Sequence, residues 1–241
     1  MNGPPPDDAR LARRERLRVV VRSKSFIAGA IIVGVWVLCA ILGPPLVPQD
    51  PFASDPIHGL EAPSGSHWFG TDRLGRDVFS RVIVGSRDIL VIAPAATLLG
   101  TVLGTALGLV TGYFRGLVDD VLSRMIEAVL ALPVLLVAVM ALVSLGPSNL
   151  TIILVVGIVF APIIARTVRA AVLNERELEY VAAARLRNER TPYILFGEIL
   201  PNVIGPVIVE FTVRLGYAVF TVATLSFLGL GVQPPAPDWG L

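Results

Sequence analysis

The sequence predicts an all-α protein, a polytopic bundle of membrane-spanning helices. Three observations carry that expectation. Hydrophobic residues make up 54% of the 241 positions and charged residues only 16%, against about 45–50% and about 25% in ordinary soluble domains. Mean hydropathy is +0.73. The apolar residues also arrive in long runs without charge, the pattern of transmembrane helices. This composition excludes a disordered chain, which would leave too much apolar surface in water, and it argues against a cytosolic enzyme. A net charge of +1 supplies no polyelectrolyte field for nucleic acid. The single cysteine, Cys39, excludes an intrachain disulfide framework and a multi-cysteine metal site. No metal site is expected.

Five spans can be read in order. Ser25–Leu42 is the first; Gly43-Pro44-Pro45 ends it, and its length of roughly 27 Å is just enough to cross. Ile89–Phe114 is the second. Residues 128–165 carry no charge and are too long for one helix; Gly146-Pro147-Ser148-Asn149 divides them into a third and a fourth span. The fifth is expected to open at Gly205-Pro206 and run to about Leu228. The segments between follow from these: a basic N-terminal segment 1–24, a loop 43–88, a core 89–232 containing a charged loop 166–198, and an end 233–241. The N-terminal segment is long for a signal peptide, and no small-x-small site follows the first run. Leu38 before Cys39 argues against a lipoprotein cysteine, so Cys39 reads as a small apolar residue in a span.

Arginine orients the spans. Nineteen of the 20 basic residues are arginine and the other is Lys24. Segments 1–24, 115–127 and 166–198 hold 15 of them, and by the positive-inside rule these three are cytoplasmic. The N-terminus is then inside, and the loop 43–88 and the end 233–241 are outside.

Several patterns point to function. Gly100, Gly104, Gly108 and Gly112 recur every fourth residue and form a groove that lets another helix approach closely. That groove either packs within the bundle or forms a mobile, pore-facing seam. Glu210 and Arg214 are an i,i+4 pair in the favourable order. They either snorkel near the inner face or line the inner mouth of a translocation path. Residues 71–77 alternate charge on an expected surface helix, either a solvated ion-paired face or a contact for a partner. Segment 179–188 is expected to be a short helix with an apolar stripe through Tyr180, Ala183, Ala184 and the stem of Arg187. Asn188 tolerates the left-handed stop, and Thr191-Pro192 opens the next helix with Thr191 as N-cap. Its three alanines suit insertion into a groove on another protein; a solvated linker is the alternative.

Other classes fit less well. Lys24 follows no glycine-rich loop, so the chain has no P-loop of its own. His58 and His67 lie in the outer loop, no span holds a histidine, and Ser144 and Ser226 are expected to bond their own backbone carbonyls, so no serine–histidine dyad exists in the membrane. An ATP-independent secondary transporter or channel would need a midplane site and internal inverted repeats, and neither is read here. A membrane scaffold would not need the 179–188 segment.

Four motifs carry a resemblance. Glu179-Tyr180-Val181-Ala182-Ala183-Ala184-Arg185, followed by Ile199-Leu200-Pro201-Asn202, resembles the EAA loop of ATP-binding-cassette importer permeases. The stretches from His67 to Arg81, from Gly112 to Gly116 and from Leu225 to Pro235, with Trp239-Gly240 closing the last, resemble one branch: the C-type permeases of dipeptide, oligopeptide and nickel importers. The resemblance runs from about residue 15 to the end and does not identify the cargo. It implies a type I importer permease, a transport subunit that is not itself an enzyme, placed in the cell membrane. It implies that Glu179–Arg185, Asn188 and Pro201 form a coupling element seated in a cleft of an ATPase. Implied partners are a second related permease, two ATPase subunits or domains, an extracytoplasmic substrate-binding protein and the lipid bilayer, with no nucleic acid. ATP and Mg would sit on the ATPase partners, with no cofactor in this chain. The usual EAA glutamate falls on Ala182 and the usual glycine on Asn188, which shifts the expected ATPase contact to Glu179, Arg185 and packing. The family's sixth span and cytoplasmic tail would lie beyond Leu241.

Overall fold

The computed structural model describes residues 21–233 and 235–240. Most of the basic segment 1–24 therefore lies outside the described residues. The chain divides into two units, one up to Arg87 and one from Asp88. The described residues contain helices, turns and a single isolated bridge, Thr71–Asp77, with no strand.

In the first unit, helix α1 (Lys24–Leu42) matches the expected first span. Among its residues only Cys39 is buried, as suits a small apolar side chain. Gly43, at φ +22°, stops it, and Pro44–Leu46 turns the chain. The loop 43–77 then folds on itself through side-chain clips. Helix α2 (Val78–Tyr113) begins eleven residues before the expected Ile89. The charges at Arg81, Arg87 and Asp88 end the apolar run but not the helix. Asp77 starts it: its Oδ2 accepts the Ser80 N–H at 2.8 Å, filling one of the orphan donors of a helix N-terminus.

The second unit is built around α5 (Asn149–Glu175). Ser148 caps it by accepting the Thr151 N–H at 3.1 Å. The helix runs ten residues beyond the charge-free stretch, so the expected cytoplasmic segment 166–198 begins as helix. Ile152, Val156, Phe160, Ile164, Val168 and Val172 are all buried and recur every fourth residue, one continuous ridge. The glycine row of α2 receives this ridge. A Cβ on Gly104 would lie 2.7 Å from the Ile164 Cβ, one on Gly108 2.7 Å from the Val168 Cβ, and one on Gly112 2.6 Å from the Val172 Cβ. Both sequences ascend together, so α2 and α5 run parallel. The chain between them must therefore return once across the bundle.

That return is not the single straight span expected from residue 128. Helices α3 (Leu117–Leu130) and α4 (Val134–Leu145) meet at an 86° bend. Pro133 is the cause, because the residue before a proline is pushed out of the helical region. Alone, α4 is about 18 Å long, short of a hydrocarbon core of about 30 Å. Among the described residues four helices are long and apolar enough to cross, and the count is five if the bent pair is taken as one span.

Helix α6 (Glu179–Leu186) follows, then a helical stretch from Thr191 that continues into α7 (Leu200–Phe227). The last span thus starts well before Gly205-Pro206; Pro206 lies inside it. Residues Ile194–Ile199 are π-helical. Pro201 offers no N–H to the Gly197 carbonyl four residues earlier, and a local π turn absorbs such a mismatch. Arg190, rather than Thr191, occupies the N-cap before Thr191-Pro192.

Candidate functional site

The EAA-like segment and the Gly112–Gly116 motif converge on α6. Its C-terminus closes as a Schellman motif: Asn188, at φ +56°, donates to the Arg185 carbonyl at 2.9 Å, and the Glu189 N–H donates to the Ala184 carbonyl at 3.2 Å. A left-handed asparagine is what this motif tolerates in place of glycine. Val181 and Ala184 are buried, and the helix packs on the π-helical stretch. Glu179, Ala182, Ala183, Arg185 and Leu186 are exposed, and Leu186 is 85% exposed. The expected stripe through Ala183, Ala184 and Arg187 is therefore corrected. Positions 181 and 184 face inward, so the helical repeat turns Ala182, Ala183 and Leu186 outward.

Tyr180 ties α6 to the next span. Its hydroxyl donates to Glu175 Oε1 at 2.8 Å and accepts from Asn202 Nδ2 at 3.2 Å; Asn202 also donates to the Glu198 carbonyl at 2.8 Å. Burial and the neighbouring Glu175 carboxylate push the phenol up to about 12, so it stays protonated as a donor. On the other side, the Arg185 guanidinium lies 4.9 Å from the ring centre of Tyr113, a cation–π contact. Arg176 Nη1 donates to the Gly112 carbonyl at 2.6 Å. Glu177 accepts from Arg115 and, at 3.1 Å, from Arg176 Nε, which holds its carboxyl below the usual range. Two sequence motifs thus meet in space: the EAA-like segment and Gly112–Gly116. Arg169 adds a bidentate pair to Asp119, at 2.9 and 2.8 Å, joining α5 to α3.

The glycine row lies inside the chain. Gly100 faces the Gly157 carbonyl and Phe160, and Gly104, Gly108 and Gly112 face the α5 ridge. Glu210 and Arg214 form an ion pair, Nε to Oε1 at 2.7 Å, with both side chains largely shielded. The guanidinium also lies 5.1 Å from the ring centre of Tyr217. They were expected in the first turns of the last span. Because that span starts near Thr191, both sit toward the middle of α7. Beside them opens a cleft of about 420 Å³, lined among others by Val134, Leu135, Phe160, Arg214, Tyr217 and Phe220.

In the first unit, residues 71–77 are not a surface helix. Asp72 accepts from the N–H groups of Leu74 and Arg76 and from Arg76 Nε, at 2.8, 3.0 and 2.7 Å. Gly75 takes φ +72°, which a helix cannot accommodate. Thr71 Oγ1 donates to the His58 carbonyl at 2.6 Å. Buried Arg81 donates to the Pro51 carbonyl at 3.1 Å. Asp77, 1% exposed, pairs with His67 at 3.0 Å. Burial opposes ionisation there, but hydrogen bonds from Ser80 and His67 outweigh it, holding the Asp77 carboxyl below the usual range. Ser144 bonds the Met140 carbonyl at 2.9 Å as expected. Ser226 does not; its hydroxyl is buried with no hydrogen-bond partner among the described residues.

Sequence reasoning did not single out Glu175 or Leu186, and it carried Asn202 and Tyr113 only as members of motifs, without a role. Leu186 could have been found, because it lies three and four residues from the outward alanines. The Tyr180–Asn202 link spans 22 positions and has no local signal.

The sequence model of the family described as "binding-protein-dependent transport system inner membrane component" matches residues 104–241. The chain belongs to this family. A second model, the N-terminal transmembrane domain of oligopeptide transport permease C, matches residues 13–63. The chain is 38% identical to the dipeptide transport system permease protein DppC of Alkalihalophilus pseudofirmus, over 99% of this chain and 80% of that protein. It is 36% identical to the glutathione transport system permease protein GsiD of Pectobacterium atrosepticum, covering 94% and 76%. It is also 36% identical to the oligopeptide transport system permease protein OppC of Bacillus subtilis, covering 90% and 72%. The chain is a multi-pass permease subunit of an ATP-binding-cassette importer, working with a separate ATPase and a substrate-binding component. The secondary-transporter and channel alternative falls away.

Proposed function

We propose that this permease forms half of a translocation path for small peptides, pairs with a second homologous permease, and is driven through α6 by two ATPase subunits or domains. An extracytoplasmic binding protein delivers the solute, and ATP and Mg bind on the ATPase partners. The N-terminus is cytoplasmic, as the arginine distribution favours. Peptides are the cargo named for most of the similar relatives.

One observation carries the coupling part. Helix α6 presents small side chains and Leu186 outward while being fastened on two sides, to α2 through Arg185 and Tyr113 and to α7 through Tyr180 and Asn202. A partner that moves this ridge therefore moves two spans at once. Residues 179–185, Asn188 and Pro201 serve this transmission. Val181, Ala184 and Pro201 act by packing; Glu179, Ala182 and Ala183 act by contact. Arg185 acts on Tyr113 rather than at the ATPase surface alone.

The test is uptake of radiolabelled dialanine by cells carrying the whole transporter, with co-purification of the ATPase and the second permease. Recovery of both partners with energy-dependent uptake is expected. A transport-active particle containing only this permease would refute the pairing, and absence of dialanine uptake would refute the substrate class.

A further inference from the structure

The cleft beside α7 has a chemistry that its surroundings do not use up. Its volume of about 420 Å³ falls in the range of small-molecule sites. Its walls are aliphatic and aromatic, with the hydroxyls of Thr221 and Thr224 and one charged side chain, Arg214. Glu210 engages only the Nε of that arginine. Among the described residues its two terminal nitrogens make no hydrogen bond, and the guanidinium carbon lies over the Tyr217 ring. Arginine presents its terminal N–H groups as a flat fork that matches a carboxylate.

Position also narrows the ligand. Arg214 lies 14 residues beyond Leu200 and 13 before Phe227, about 20 Å from either end of α7. A lipid headgroup at the membrane surface does not reach that depth. A lipid tail or an apolar helix seated in the cleft would leave the terminal nitrogens buried without acceptors.

We propose that this cleft is a solute site in which Arg214 binds the carboxylate of the passing peptide, with Glu210 as the residue that positions it. This rests on the peptide reading above. The aromatic and aliphatic walls take the side chains of varied sequences, while the fork reads the one group that all such peptides share. Glu210 fixes the Nε edge, which leaves the two terminal nitrogens of this lining residue for the ligand.

The experiment uses membrane vesicles containing the whole transporter, in which this permease carries Cys39→Ala and Thr221→Cys. Mixed-disulfide formation at the new cysteine, with release of a sulfinate, is timed with a sulfonate-bearing and a trimethylammonium-bearing thiosulfonate reagent. Dialanine should slow modification, and dialaninamide, which lacks the carboxylate, should not; this comparison needs no change at Arg214. The sulfonate reagent should be favoured, and Arg214→Met should lower that preference roughly tenfold. Glu210→Gln keeps an acceptor for Nε but removes a negative charge, so it should raise the preference, which a purely structural role would not do. Failure of both reagents to reach the cysteine, equal effects of the two peptides, or a preference unchanged by Arg214→Met would each overturn the proposal. Dialanine uptake is measured in parallel with the original Thr221. Uptake without protection refutes the cleft assignment alone, and protection without uptake refutes the substrate class alone.

Discussion

Replacing Gly104 with alanine tests the glycine row in its simplest form. The added Cβ would lie 2.6 Å from the Ala161 carbonyl oxygen and 2.7 Å from the Ile164 Cβ. Both are backbone or branch-point atoms of α5 and cannot swing aside. Ordinary contact begins near 3.4 Å, so the helices must separate by several tenths of an ångström. A gap of about 0.5–1 Å forfeits roughly a quarter to a half of each contact along the seam, and overpacking of this kind costs about 1–3 kcal/mol. Alanine also raises helix propensity, by about 0.8–1.0 kcal/mol over glycine, which offsets part of the loss. Gly216→Ala isolates that gain, because nothing lies within 4 Å of a Cβ there. The quantity to measure is the difference between the two variants in a detergent-to-SDS unfolding titration. Gly104→Ala should be less stable than Gly216→Ala by about 1–3 kcal/mol. Equal stabilities would mean that α2 and α5 are not in close contact, and the parallel arrangement would fall with that contact.

Further outcomes follow from α6 and from the loop that precedes α2. Ala183→Asp adds a charge on an exposed position, so membrane insertion should persist. ATPase binding and uptake should both be lost, at a cost on the order of 3 kcal/mol for an unpaired charge in the contact; survival of both would refute the coupling role of α6. Tyr180→Phe removes the links to Glu175 and Asn202, each hydrogen bond worth about 0.5–1.5 kcal/mol; ATPase binding should be kept while uptake per ATP hydrolysed falls, and an unchanged ratio would count against the link. Asp77→Ala should destabilise the start of α2 by about 0.5–2 kcal/mol, seen as faster proteolysis of the loop that precedes it. The Asp77 carboxyl titrates lower when folded, so its contribution is complete above its unfolded pKa of about 3.9 and is lost as pH falls through the lower folded value. Asp77→Asn should flatten that acid dependence of proteolysis.

Much of this architecture was legible because membrane spans announce themselves by composition. The apolar runs located every long helix, and the turn at 146–149 separated two of them. Run ends proved poorer guides to helix ends. Arg81, Arg87 and Asp88 interrupt hydrophobicity but not hydrogen bonding, so α2 starts at Val78; α5 likewise continues past Arg166. Pro206 looked like an opening residue and lies inside α7, because the helical stretch had already begun at Thr191. Asn188 was readable, since the backbone demand at a helix stop is local. The stripe on α6 was not, because three consecutive alanines leave the phase of an eight-residue helix undecided until Val181 is seen to be buried. The charges at 71–77 misled for a related reason: alternation in sequence says nothing about the left-handed Gly75 that folds Asp72 back on Arg76.

The matched four-residue repeats of α2 and α5 act as a ratchet. Each glycine notch holds one side chain of the ridge, and four notches follow in successive turns. Sliding by less than a turn would drive Val168 or Ile164 onto α2 backbone that has no room for it; the next permitted position is a full turn away, about 5–6 Å. Small displacements are therefore forbidden along this seam, and α2 with α5 behaves as one rigid body. A pull on α2 through Arg185 and Tyr113 therefore carries α5 with it, rather than sliding one helix along the other.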